Sequence, residues 1–416
     1  MQRTDWAEQF AEDFYSKPLV RECVFRSARY LDGSLEKEVC DFVLVLRGKA
    51  ILIQMKCQDD PTSRSGEKLE RWVIKQANAA LTQLKGSLRT ISEQNFWCDH
   101  PRRGHVDFAS GQLKAIHGIV LVEQFEGRIC LPTEFPMEYS SVPVSYFTTN
   151  EFLNIVDQLR AFPEIVQYLD KRHQLPQESL RGVGGERVFF EKYILKDGSF
   201  EGWTTYPEVA HGLREYRAEI QASLKEKTLG DRDASLIEYV ADQLSKRGLD
   251  PMADLPAGFA AHVDPPDRRR GYLRMQEHLC DLPLSARRSL GTQFKKVCEK
   301  VDGTKKESDF VYAAAWADIK PGFVFVFACS RQIPRPQVLR RTWVLLQAAV
   351  THYGKAAGMA ISDRDGKSFE VPLMEGFVPE QDDRALAEQF FGRLKTFDVP
   401  MSLVPGKLRS HPEHGS

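Results

Sequence analysis

The chain contains no CxxC pair; its eight cysteines stand apart at 23, 40, 57, 98, 130, 280, 298 and 329. That scatter excludes a small disulfide scaffold and points to reduced thiols in the cytoplasm. Cys40 and Cys57 read as small apolar fillers. No apolar run approaches the ~20 residues of a membrane span. The opening MQRTDWAEQF is polar and charged, unlike a secretory leader. No GxxxxGK[ST] phosphate loop is present, which argues against an ATPase motor. Neither sign of charge dominates: Lys+Arg 57 against Asp+Glu 58 leaves −1, so any nucleic-acid binding must use local patches. Cys98, His100 and His105 make the one metal-like Cys/His group. It lacks a second pair and lies beside Pro101 and Gly104, so residues 100–112 read as a loop.

A length of 416 residues is too great for one ordinary core and predicts two domains. The expected division is a first domain over 1–172, a linker over 173–186, a second domain over 187–404 and a tail over 405–416. The linker rests on the Pro/Gly-rich run QLPQESLRGVGGE.

The most informative stretch is 38–57, EVCDFVLVLRGKAILIQMKC. Two Val/Ile/Leu-rich runs flank Arg47-Gly48-Lys49 and predict a β-hairpin. Their near-continuous apolarity predicts strands covered on both faces. Gln54 and Lys56 alternate with Met55, so they share a face, and the hairpin can bring Asp41 beside them. A carboxylate, an amide oxygen and an ammonium at one spot suit a hard cation such as Mg²⁺ or Mn²⁺ next to a phosphate. A structural hairpin with an edge lysine accounts for the same residues.

The flanks add detail. Thr4 opens a helix to about Phe14, with Trp6, Phe10 and Phe14 at helical spacing and Glu8 and Glu12 on one face. A helix is expected over about 69–91, with Val73, Ala77, Ala80, Leu81, Leu84 and Leu88 as its apolar stripe and Gln76 and Gln83 along one side. An apolar strand is expected over 115–122. The order is helix, hairpin, helix, strand. With Asp41 and Gln54-Met55-Lys56, it resembles the PD-(D/E)XK, or restriction-endonuclease-like, nuclease superfamily. Asp41 stands at the motif's first acidic position without its preceding proline, and Gln54 replaces the second acid. Arg71-Trp72, Lys75, Ala80 and Gln83-Leu84-Lys85-Gly86, with Glu38-Val39-Cys40-Asp41, resemble a branch of bacterial proteins in that superfamily over roughly residues 8–125.

The resemblance implies an α/β fold with an αββαβ core and a mixed sheet. It implies Mg²⁺ or Mn²⁺ held by Asp41 and Gln54, with Glu38 and Glu12 (or Glu8) as further ligands. Lys56 would position water and stabilise charge, and Gln83 would touch the phosphate. The expected partner is nucleic acid, foremost DNA, in bacterial defence or DNA processing, with a homodimer or a defence-system protein as further partners. A nuclease fold kept as a binding module is the alternative.

The second half predicts a strand over 187–195 and helices near 207–226 and 233–247. A basic segment follows: Arg268 to Lys306 carries eleven Lys/Arg against four Asp/Glu. Arg268, Arg269, Arg287, Arg288 and Lys295 are its expected nucleic-acid contacts. Strands over 310–316 and 323–329, a helix over 336–353 and a strand over 359–362 then repeat the hairpin–helix–strand order. Asp309-Phe310-Val311 echoes Asp41-Phe42-Val43 without a QMK counterpart, which suggests a degenerate second copy.

Overall fold

The computed structural model describes residues 10–57, 64–124, 127–249, 265–302, 312–329, 335–363, 369–371, 373–376 and 378. Thr4, Glu8, Asp309 and the tail 405–416 lie outside them. The protein is an α/β fold of two compact units, one over 1–230 with Leu279–Pro283, the other over Asp231–His278 with 284–416. Among the described residues no helix is long and apolar enough to cross a membrane.

The first unit opens with helix α1 (residues 10–15), followed by β1 (Val24–Asp32), β2 (Leu35–Leu46) and β3 (Lys49–Lys56). Next come α2 (Gly66–Glu93), β4 (Phe96–His100), β5 (Gly104–Phe108), β6 (Lys114–Val122), β7 (Ile129–Cys130), β8 (Glu138–Tyr139) and β9 (Val142–Phe147). One sheet runs β5-β4-β1-β2-β3-β6-β9-β8. β2 and β3 form the expected antiparallel hairpin, turned by Gly48 at φ +75°. β3 and β6 run parallel, as do β6 and β9. A parallel neighbour needs a crossover, and α2 is part of it.

The sheet is covered on both faces, which is why its central strands read as unbroken apolar runs. On one face α2 lies so close that a Cβ on Gly118 would meet Leu84 Cδ2 at 2.7 Å. Gly118 pairs with Leu52, so Leu52, Gln54 and Lys56 face α2. On the other face Phe42 meets Phe10 and Phe14 of α1, and Phe14 meets Phe152 of the next helix.

The 100–112 stretch is not the expected loop. β4 and β5 pair as a hairpin on the sheet edge, and Asp99, His105 and Asp107 keep that edge charged. Cys98 and His100 point inward while His105 faces Asp99, so the three do not converge. His100 is a structural latch. Its Nδ1 accepts the N–H groups of Arg102 and Arg103, which puts the proton on Nε2 opposite the Arg21 carbonyl.

Burial pushes down the pKa of His100 and of His117, which is buried in β6 beside Asp170. Each is neutral when folded and binds its proton more readily when unfolded, so stability is full above about pH 6.5 and is lost below it. Denaturant midpoints at pH 7, 6 and 5 should fall by up to about 1.4 kcal/mol per pH unit for each histidine. His117→Gln should remove its share of that slope; a slope identical to wild type would refute the assignment.

The segment expected as a linker belongs to the first unit. α3 (Thr149–Leu159), α4 (Phe162–His173), α5 (Gln177–Leu180), β10 (Gly182–Val183), α6 (Glu186–Leu195) and α7 (Tyr206–Gly212) follow β9. β10 pairs with β7, and Glu186 forms a buried ion pair with Arg172. The division at 230/231 falls inside α8 (Arg217–Leu249), one helix where two were expected. Residues 187–195 are helical rather than a strand: Phe189 and Tyr193, four apart, are both buried. Thr148 closes a capping box with Glu151 on α3.

The second unit contains α9 (Pro265–Cys280), α10 (Leu284–Asp302), β11 (Tyr312–Lys320), β12 (Phe323–Cys329), α11 (Arg335–His352), β13 (Ala357–Asp363), β14 (Phe369–Glu370) and β15 (Leu373–Glu375). β11–β12 is an antiparallel hairpin and β13 runs parallel to β12. The order β2–β3–α2–β6 therefore recurs. Counting six residues past each turn glycine matches Gln54 with Ala328, whose partner is Ala313. The repeated order carries no repeated chemistry at that point.

Candidate active site

The site grows from two irregularities in β2. The β1–β2 register passes from Ala28↔Cys40 to Arg29↔Glu38, which makes Val39 an extra, bulged residue. Beyond Phe42↔Ile53 the β2–β3 ladder stops, and the strands fork. In the fork the Asp41 carboxylate takes the place of a ladder acceptor: Met55 N–H donates to Asp41 Oδ2 at 2.7 Å. Gln54, buried and facing α2, donates through Nε2 to Ser87 Oγ at 3.0 Å and to the Val39 carbonyl at 3.4 Å.

Lys56 stands two residues on along the same face of β3, half-buried. Among the described residues its ammonium forms no hydrogen bond or ion pair. Its carbonyl accepts the N–H of Glu123, just past the end of β6. Asp41, Gln54 and Lys56 thus stand at the open end of the hairpin, with Gln54 and Lys56 on the α2 face.

The bulge also changes where Glu38 acts. Residues three apart on a regular strand face opposite ways, but an inserted residue resets the alternation. Glu38 keeps solvent contact, yet its pKa is raised by partial desolvation at the sheet surface and then by Asp41, with a bond from Ser27 opposing. A carboxyl raised by a neighbouring carboxylate in this way favours a cation between the two. Burial, reinforced by Asp41 and Glu38, pushes the Cys40 thiol well above its usual range, so Cys40 is an inert filler.

Other expected members are placed differently. Glu12 is exposed on α1, two residues from Phe10 and Phe14, which turn inward onto the sheet face opposite Gln54. It is therefore corrected to a solvated helix position. Gln83 is exposed on α2, one turn before Ser87, and its carbonyl lies 2.9 Å from Ser87 Oγ.

Two residues were not singled out from the sequence. Ser87 is a small polar residue on the flank of a buried stripe, the one sequence signal it gives. Glu123, directly after an apolar strand, is fully buried with its carboxyl pushed up by burial against a bond from Thr149. It faces away from α2, because its neighbour Val122 pairs with Lys56.

A divalent cation fits this donor set in part. Among the described residues no three His, Cys, Asp or Glu side chains gather closely enough to hold a metal ion. Mg²⁺ differs from cage-bound metals: one or two carboxylates serve it, with waters and substrate phosphates completing the octahedron. Asp41, Glu38 and the Gln54 oxygen meet that lesser demand.

Protein families, curated proteins and solved structures give no match to this chain. The reading of the site therefore rests on its geometry.

The basic segment of the second unit changes meaning. Arg287 has no exposed surface and its Nη1 donates to Glu238 at 3.2 Å. Arg288 Nη2 donates to Asp231 at 2.9 Å. Arg269 is half-buried, Lys295 is exposed, and the side chain of Arg268 lies outside those described. Arg287 is thus corrected from a phosphate contact to a core ion pair. Arg287→Ala should lower the stability of the second unit by about 3–5 kcal/mol, because the buried Glu238 carboxylate loses its guanidinium partner. Denaturant unfolding checks this; a variant as stable as wild type would restore Arg287 to the surface.

Proposed function

We propose that the chain is a metal-dependent nuclease of the PD-(D/E)XK type that hydrolyses phosphodiester bonds, foremost in DNA, in bacterial defence or DNA processing. The supporting observation is the fork itself: Asp41, Gln54 and Lys56 at its open end, the last two on one sheet face, with Glu38 coupled to Asp41 across a bulge. Mg²⁺ or Mn²⁺ bound there supplies Lewis-acid polarisation of a phosphate oxygen and a more acidic water.

The chain's own residues do the rest. Asp41, fixed by the Met55 N–H, presents negative charge at a constant position. The Gln54 oxygen adds a neutral donor. Lys56 directs its ammonium at the phosphate and stabilises the charge that grows there as water attacks phosphorus. The attacking water gives up a proton to solvent as its bond to phosphorus forms; the P–O bond to the leaving oxygen breaks, the electron pair goes to that oxygen, and a solvent proton neutralises it.

A second reading is a nuclease fold retained as a nucleic-acid or protein binding module. The neutral Gln54 and the shortage of acids favour it. Incubating plasmid and single-stranded DNA with Mg²⁺, Mn²⁺ or Ca²⁺, with Lys56→Ala as control, separates the two. Cleavage that requires Mg²⁺ or Mn²⁺ and is lost in the control supports the enzyme. Binding without cleavage supports the module.

A further inference from the structure

We infer that Ser87 is a positioning residue that makes Gln54 an obligate amide: with the Val39 carbonyl it fixes which end of the Gln54 side chain faces the cation site. The inference rests on the metal-site reading for its functional part. The starting point is the bulge at Val39, which leaves that residue without an opposite number in the β1–β2 register. A buried carbonyl needs a donor, and two side chains supply it. Ser87 Oγ donates to it, and Gln54 Nε2 lies 3.4 Å away.

The Ser87 hydroxyl has one proton, and both carbonyls within its reach, Val39 and Gln83, can only accept. Its lone pairs are therefore what Gln54 meets at 3.0 Å. Both neighbours of the inner end of Gln54 demand an N–H. A carbonyl oxygen turned inward would face an acceptor and a hydroxyl whose proton is already engaged. The nitrogen goes in, and Oε1 is turned away from both, toward the mouth of the fork where Asp41 lies.

This reverses the expectation for an acid at the position. A carboxylate carries no N–H to offer the Val39 carbonyl. Gln54→Glu would set an anion against a buried carbonyl, so the glutamine is what the pocket selects rather than a weakened acid.

Two measurements on the full chain decide it. The first needs no metal: denaturant unfolding of Ser87→Ala, Gln54→Met and the double variant. A latch predicts non-additive midpoint shifts, because either single change disables the same bond. Additive shifts would overturn the latch. The second is calorimetric titration with MnCl₂. Ser87→Ala should weaken Mn²⁺ binding about 10–100-fold, the usual effect of losing a group that orients a ligand. Ser87→Thr, which keeps the hydroxyl, should restore most of it, and Gln54→Glu should not tighten it. Tighter binding by Gln54→Glu, or unchanged binding by Ser87→Ala, would overturn the inference. A coupled cycle in a wild type that takes up no Mn²⁺ would overturn the metal reading and leave the latch as a structural device.

Discussion

Lys56→Ala is expected to lower metal-dependent DNA cleavage by about 10²–10³-fold, the effect of removing one preorganised donor from a site of developing charge. The same substitution should leave folding nearly untouched, within about 0.5 kcal/mol, because Lys56 is half-buried and no ion pair is lost. That combination is what distinguishes a reacting group from a structural one. Lys56→Arg should not restore full rate, since the wide planar guanidinium does not reproduce a compact ammonium in a narrow fork. The measurement is the single-turnover rate at saturating Mg²⁺, with thermal unfolding of each variant alongside. A Lys56→Ala protein that cleaves at the wild-type rate would remove Lys56 from the chemistry. One that unfolds markedly earlier would show that Lys56 supports the sheet.

The contrast between Lys56 and Arg287 shows what a sequence makes visible. Hairpin alternation put Gln54 and Lys56 on one face of β3, because a period of two leaves little freedom once the turn at Gly48 is located. Helical periodicity likewise placed α2. Nothing local distinguishes an arginine destined for Glu238 from one facing phosphate, since both lie on amphipathic helices and the partner is 49 residues away. The bulge at Val39 was illegible for a similar reason. It exists because β1 passes Cys40 and Glu38 out of step, a property of the pair and not of either strand. Residues 182–186 misled differently. Gly-Val-Gly-Gly-Glu reads as a flexible joint, but Gly184 and Gly185 adopt φ +92° and +82°, and added Cβ atoms would meet the Gly127 carbonyl at 2.5 Å and the Tyr206 hydroxyl at 2.2 Å. Those glycines permit close approach rather than motion.

The ion pair beside those glycines carries a large expected effect on stability. Arg172 Nε donates to Glu186 Oε1 at 2.8 Å and Nη2 to Oε2 at 2.8 Å, and both residues are buried. The Tyr168 hydroxyl donates to the same carboxylate, and the guanidinium lies 4.7 Å from the rings of Phe147 and Phe189. Glu151 accepts the Glu186 N–H at 2.7 Å, which fastens the start of α6 to α3. Burial pushes the Glu186 carboxyl up while Arg172 and then the Tyr168 bond oppose it, so removing the guanidinium leaves burial opposed by the hydroxyl alone among these side chains. Arg172→Met should cost about 3–5 kcal/mol, and Glu186→Leu a similar amount, since each strands its partner. In a unit of this size that is a Tm lower by roughly 10 °C. The double variant should recover part of the loss, because no buried charge is stranded, while the buried Tyr168 hydroxyl still lacks the Glu186 acceptor. Calorimetry of the four proteins tests this, with limited proteolysis as a second readout: the single variants should become cleavable between 173 and 186, and the wild type should resist. Single variants as stable and as resistant as wild type would mean that this segment is a linker after all.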